Sequence, residues 1–384
     1  MARIVSSDEN STTYMMPSHF VAKENELIQN GIHPELANEI YNNGGFIVFP
    51  NLPKKDITIG IDYRNFTPTE KFMGFKMIPP GLHYITVKYK EAPTISFFIW
   101  VGFGTVYAPK WNTANEDFED SLFSDFWPED VSDSKKAQAQ QIMKNYDDHL
   151  AVYPYPQYKE WQSITSHISK EVFERLRPAN KLGKISEQLE FETKEQAEEK
   201  KQGTSEGIST VNKDHPTRLR FKDEAGLPVF DYKPGGRIFF TELPENVAGQ
   251  TTKKTRLERV LEKVGYKELL GEVQYAYVIF LIGQSYVGLD QWKRLLHLLA
   301  DCSKDIPKFP ELFEEFIVLF YFQIKLIQND FFEDLFTGDN FLKTVIPMLF
   351  ANISDSDHAS ATLKKRSLQL KTFCEKKFNR SFEY

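Results

Sequence analysis

Apolar residues change their spacing once along this chain, and that change limits what it can fold into. In the first part they gather in short β-rich runs: Phe46-Ile47-Val48-Phe49, Ile57-Thr58-Ile59-Gly60-Ile61, Leu82-His83-Tyr84-Ile85-Thr86-Val87 and Ile95-Ser96-Phe97-Phe98-Ile99-Trp100-Val101. Pro50-Asn51-Leu52-Pro53, Pro79-Pro80-Gly81 and Gly102-Phe103-Gly104 punctuate them as turns, and residues 104–107 read as a hairpin with the last run. From residue 237 onward apolar residues recur at helical spacing, over 257–266, 269–282, 291–302, 310–328, 340–350 and 359–378. Strands without intervening helices do not build a parallel α/β sheet. The fold class is α+β: an N-terminal β-rich domain, sandwich or barrel-like, followed by an all-α domain of antiparallel helix pairs.

Composition draws the boundaries. Residues 1–32 are a polar extension. Residues 33–177 form the β-rich domain, with flanking helices over 33–41, 134–150 and 157–176. Residues 178–236 read as a linker: 186–202 hold six Glu and three Lys with little apolar periodicity, compatible at most with a transient helix over 186–201. Residues 237–384 are the helical domain, with Asp339 and Asp357 at N-cap positions.

Several function classes are excluded. Two cysteines, Cys302 and Cys374, make neither a disulfide framework nor a four-Cys zinc site, and both fall on apolar helix faces. A net charge of −7 argues against a chain-wide nucleic-acid surface. Residues 273–289 carry no charge, but Gln274, Gly283, Gln284 and Gly288 interrupt them, so a buried helix fits better than a membrane span. No Walker A loop occurs, Gly102-Phe103-Gly104 lacks the third glycine of a dinucleotide loop, and 283–288 is too long for a nucleophile elbow. The eight His are scattered. No enzymatic activity, metal or cofactor is expected.

What remains is interaction chemistry. Residues 111–133 hold eight acids and no Lys or Arg, interleaved with Phe118, Phe123, Phe126 and Trp127. They form either a docking loop or a solvated loop with aromatics pinned to the sheet. Tyr153-Pro154-Tyr155-Pro156 before Trp161 is either a rigid aromatic docking face or a corner packed on its own sheet. The last helix carries Lys364, Lys365, Arg366, Lys371, Lys376, Lys377 and Arg380 against Glu375 alone within 364–380. It either tracks phosphate or is the solvated face of an outer helix, and no aromatic stacking platform accompanies it.

Taken in order, several segments resemble the A1-cistron splicing factor family, assembly factors of the spliceosomal U-five small nuclear ribonucleoprotein. They are Gly44-Gly45-Phe46-Ile47-Val48, Gly60-Ile61-Asp62-Tyr63, Gly74-Phe75-Lys76-Met77-Ile78-Pro79-Pro80-Gly81-Leu82-His83, and Tyr153-Pro154-Tyr155 with Trp161. In the helical half they are Phe239-Phe240-Thr241-Glu242-Leu243-Pro244, Leu270-Gly271-Glu272-Val273-Gln274-Tyr275-Ala276-Tyr277 and Trp292-Lys293-Arg294-Leu295-Leu296. The resemblance implies a VHS-like helical domain and a non-enzymatic role. Its implied partner is the large scaffold protein of the particle (pre-mRNA-processing factor eight), held chiefly through an RNase H-like domain. Holding would occur during cytoplasmic assembly, with the RNA helicase excluded until nuclear maturation. The residues that carry the motifs are the partner-binding candidates: Gly60, Asp62, Tyr63, Met77, Pro79, Pro80, His83, Tyr153, Tyr155, Trp161 and Trp292. Neither a membrane nor direct RNA contact is implied, and the chain is expected to be a monomer before it meets its partner. The helical half alone would also fit a membrane-trafficking adaptor that binds phosphoinositide or ubiquitin; the N-terminal motifs do not suggest one. Beyond Phe378, six residues reach about 20 Å when extended, too little to bridge two partner domains. Phe382 and Tyr384 either add one strand to a partner sheet or fray.

Overall fold

The computed structural model describes residue 40 and residues 44–123, 146–185, 191–193, 230–232, 235–244, 254–328 and 341–382. The extension over 1–32, the helices expected over most of 33–41 and over 134–145, and Phe126, Trp127, Asp339 and Tyr384 lie outside the described residues.

The α+β class holds, with a β-rich first part and a helical second part. The strands are β1 (Gly45–Val48), β2 (Ile57–Ile61), β3 (Arg64–Phe66), β4 (Gly74–Ile78), β5 (Gly81–Tyr89), β6 (Ile95–Val101), β7 (Val106–Tyr107), β8 (Trp111–Asn112), β9 (Asp117–Phe118) and β10 (Leu150–Val152). One antiparallel sheet has the order β3-β2-β5-β6; the other, mixed, has the order β10-β4-β1-β7. The two share an apolar interior: Phe75 lies 5.5 Å from Phe66, and Phe118 packs on both Phe49 and Phe97. Three expectations are corrected. Residues 104–107 make no hairpin with β6, because β7 crosses to the other sheet and runs parallel to β1. Leu150 begins a strand, parallel to β4, rather than ending a helix. The helix expected over 157–176 is two, α1 (Tyr158–Thr165) and α2 (Lys170–Leu176), since Ser169 caps the second by accepting from Val172 N.

Strands β5 and β6 are mostly apolar, without strict alternation, because both their faces are covered. Phe97 meets Phe118 at 5.7 Å on one side, and Phe98 meets Tyr275 at 4.5 Å on the other. Tyr275 belongs to α3 (Arg256–Leu281), which opens on a capping box between Thr255 and Glu258. Gly265 (φ 67°, ψ 163°) leaves helical geometry and divides this span into two helical stretches, close to the two that the periodicity suggests. Glycine suits that left-handed backbone. Then follow α4 (Tyr286–Asp301), α5 (Pro310–Leu326), α6 (Leu342–Asp355) and α7 (Ala361–Phe378). Ser360, not Asp357, caps α7, because it is the residue whose side chain reaches Leu363 N, at 3.0 Å.

The segment expected to link the halves starts inside the core. Leu182 and Ile185 are buried, and Ile185 exchanges backbone hydrogen bonds of 2.7 and 2.9 Å with Ser96 on β6. Farther on, β11 (Phe191–Thr193) pairs antiparallel with β12 (Phe230–Tyr232), so a strand stands where a transient helix was entertained. Between α3 and α4 the chain turns at Gly283, where a Cβ would stand 2.2 Å from the Tyr84 hydroxyl. Only a residue without a side chain lets this turn come so close to the sheet. The uncharged run over 273–289 is thus the end of a buried helix, a turn and the start of the next; no described helix is long and apolar enough to cross a membrane.

Cys302 and Cys374 are buried, and burial, with nearby carboxylates, pushes each thiol up to about 12. Near pH 8 the thiolate fraction should then be on the order of a thousandfold below that of an unfolded chain. Native protein should therefore label with a chromogenic disulfide only as fast as it opens. Labelling at the unfolded chain's rate would contradict the burial of both thiols.

Candidate functional site

The N-terminal motif residues converge on one buried knot. Asp62 occupies the tight β2–β3 turn with φ 55°, a conformation that Asp tolerates better than most residues. Its backbone N–H donates to Tyr84 O at 2.7 Å, and its Oδ1 accepts from Tyr84 N at 2.8 Å. The carboxylate thus stands in for the next backbone acceptor of the ladder. Its Oδ2 lies 2.7 Å from His83 Nδ1 and also accepts from the Tyr153 hydroxyl. His83 Nε2 lies 2.7 Å from Pro79 O, so both ring nitrogens face oxygens.

Around this centre the Tyr-Pro-Tyr segment is riveted to the sheet. Pairing of β1 with β4 shifts register next to Met77, whose φ of 62° marks a bulge. The Met77 carbonyl accepts from the Tyr155 hydroxyl at 2.5 Å, and Trp161 Nε1 donates to Leu82 O at 2.7 Å. Burial first, then the Asp62 charge, hold the Tyr153 phenol well above its ordinary range, so it stays a donor. Tyr155 is held well above by burial and by Tyr158. Of the two readings of this cluster, the structure has the corner packed on its own sheet.

The arrangement has no catalytic reach. An Asp–His pair resembles an acid–base dyad, but the side chains of His83 and Asp62 are 0% and 3% exposed and the far nitrogen is occupied by Pro79 O. No group of His, Cys, Asp or Glu among the described residues could hold a metal ion.

The eleven candidates therefore divide. Gly60, Asp62, Met77, Pro79, His83, Tyr153, Trp161 and Trp292 are buried. They shape a surface from beneath and do not offer side chains to a partner docked on this conformation. Trp292 anchors the helical half instead: its Nε1 donates to Gln323 Oε1 at 2.9 Å, and Tyr277 donates to Gln323 O at 2.6 Å. Pro80 and Tyr155 are half-buried, and Tyr63 is exposed. Each adjoins the knot: Tyr63 follows Asp62, Pro80 follows Pro79, and the Tyr155 ring lies 5.1 Å from Tyr153.

Other expectations resolve too. Trp111 and Phe118 of the acidic segment are buried, so these two aromatics are pinned to the sheet. Phe382 is neither frayed nor free to add a strand: it is buried, with its ring 6.4 Å from Phe378.

Sequence reasoning missed a second polar centre. Glu272 of α3 is fully buried, and its Oε1 accepts from Thr241 N (2.8 Å) and Gln291 Nε2 (2.9 Å). Its Oε2 accepts from Thr241 Oγ1 (2.7 Å) and Arg175 Nη2 (3.0 Å). These bonds tie α2, the 235–244 segment and α4 to α3. The available signal was an acid set among Leu269, Leu270 and Val273, which needs partners if its helix is buried.

Comparison with known proteins separates the two halves and joins them in one family. Residues 43–178 match the AAR2 N-terminal domain, and residues 244–383 match the AAR2 C-terminal repeat region. The chain belongs to the AAR2 family. Curated relatives named Protein AAR2 homolog agree. The Caenorhabditis elegans protein is 39% identical, over 91% of this chain and 98% of its own length. The Mus musculus and Homo sapiens proteins are each 30% identical, over 91% of this chain and 93% of their own lengths. This is the family whose resemblance the motifs carried. Membership makes the chain a splicing-related AAR2 protein, and neither AAR2 family model names a catalytic activity.

Proposed function

We propose that this AAR2-family chain is a non-enzymatic assembly factor of the U-five small nuclear ribonucleoprotein. It holds the large scaffold protein, pre-mRNA-processing factor eight, through the RNase H-like domain of that protein in the cytoplasm. It keeps the RNA helicase off until the particle matures in the nucleus. The observation that carries this reading is the match of both halves, in order, to the two AAR2 family models. The sealed Asp62–His83 pair supports a binding role over a catalytic one. Within that role, Tyr63, Pro80 and Tyr155 are the N-terminal contact residues, because they alone among the candidates keep accessible surface.

Tagged chain purified from its own cells should bring down the scaffold protein without the helicase. Tyr63→Ala should weaken binding of the isolated RNase H-like domain by about tenfold or more, the scale of an exposed aromatic anchor. Recovery of scaffold, helicase and this chain in one complex would refute the exclusion, and failure to bind scaffold at all would refute the function.

A further inference from the structure

The seam between α6 and α7 carries chemistry that the motif residues do not use. A groove of about 730 Å³ runs there, floored by Phe350 and Ile353 of α6 and by Phe382, with Leu368 of α7 on its wall. Leu368 is 65% exposed. Lys364 and Lys371 also line the groove. Lys364, Leu368 and Lys371 are at i, i+4 and i+7, so they form one stripe two turns long, with the lysines about 10.5 Å apart along the axis.

Both cations keep bonding capacity. Lys364 Nζ donates to Ser354 O at 3.1 Å, and Lys371 Nζ lies 3.9 Å from Glu375. An ammonium has three donors, so neither is saturated. Among the described residues that line the groove Asp355 is the one acid, and α7 around it is strongly basic. A trough of mixed lining, whose exposed apolar side chain is Leu368 set between two spaced lysines, complements a short apolar stripe edged by carboxylates.

We propose that this groove docks an acidic amphipathic helix of a partner protein. Two helices side by side share the same rise per residue, so carboxylates seven positions apart on the incoming helix match Lys364 and Lys371. Apolar side chains three and four positions along then settle against the exposed Leu368. Helix α7 packs on α5 and α6, and an incoming helix continues that stack by one member. Nucleic acid fits less well: Phe350 and Phe382 are 6% and 3% exposed, sunk in the floor where no base can stack on them. The proposal does not depend on the scaffold-binding reading.

The test uses the full chain and three labelled probes, read by fluorescence anisotropy. One is a helical peptide with two glutamates seven positions apart and two leucines between them. The second is the same peptide with lysines for the glutamates, and the third is an oligouridine. The variants are Leu368→Asp and the pair Lys364→Glu with Lys371→Glu, all at accessible positions, with circular dichroism to verify the fold. The glutamate peptide should bind the unaltered chain and lose about tenfold or more in each variant. The lysine peptide should prefer the charge-reversed chain. A glutamate peptide that fails to bind, or binds both variants as well as the unaltered chain, overturns the proposal. So does oligouridine binding more tightly than the peptide through the same two lysines.

Discussion

Replacing Glu272 with alanine should destabilise the whole chain by about 3–5 kcal/mol, the usual result of breaking a buried charge pair from one side. Four donor contacts end on this carboxylate, from Thr241 N, Thr241 Oγ1, Arg175 and Gln291. Alanine leaves the Thr241 amide facing a small cavity without an acceptor, and Gln291 Nε2 with Thr241 O alone, at 3.3 Å. Arg175→Ala should cost less, since the arginine side chain is 29% exposed and water replaces part of what it loses. Equilibrium urea unfolding of both single variants and the double variant would measure the coupling. A loss below about 1 kcal/mol for Glu272→Ala would mean that the clamp is not formed as described.

Asp62→Ala should cost a similar amount, about 3–5 kcal/mol, through a different part of the core. It strips the acceptor from His83 Nδ1, the Tyr153 hydroxyl and Tyr84 N at once. Asp62→Asn should be milder, because its carbonyl still serves Tyr84 N while its amide meets the other two donors. The local signature is exchange of the Tyr84 amide hydrogen, which should accelerate strongly in the alanine variant even where the chain stays folded. Unchanged protection at Tyr84, with global stability intact, would show that Asp62 does not hold the knot together.

Strands β5 and β6 are legible because coverage of both faces makes them mostly apolar over six or more residues. Those that sequence reasoning missed or misplaced have a reason in their residues. Strand β4 contains Lys76, whose ammonium reaches Asp147, and a bulge at Met77, and both erase alternation. Strand β10 reads as the end of a helix and β7 as the hairpin partner of β6, because both pair in parallel with partners distant in sequence, which no local pattern reports. The site was legible as a set of residues and not as a geometry. Asp62, His83, Tyr153 and Trp161 are residue types that serve a docking face and a buried knot equally well. Only the side chains covering them, such as Tyr158 stacked 6.4 Å from His83, decide which. Glu272 directly precedes the uncharged stretch over 273–289, yet it stands mid-helix, and its partners come from three other places along the chain.

The sheet β3-β2-β5-β6 keeps Tyr84 and Phe98 dry only because α3 and the Gly283 turn lie against them. The border between the two family models is thus a border in the gene product's linear order and not in the folded solid. A ribosome releasing the first half must leave that aromatic wall wet until the second half emerges. A copy ending after residue 185 would keep it wet for good. Such a fragment is a substrate for chaperones and proteases, not half a working protein. Premature stops in the second half should therefore erase the whole chain from the cell rather than leave a strand-only remnant.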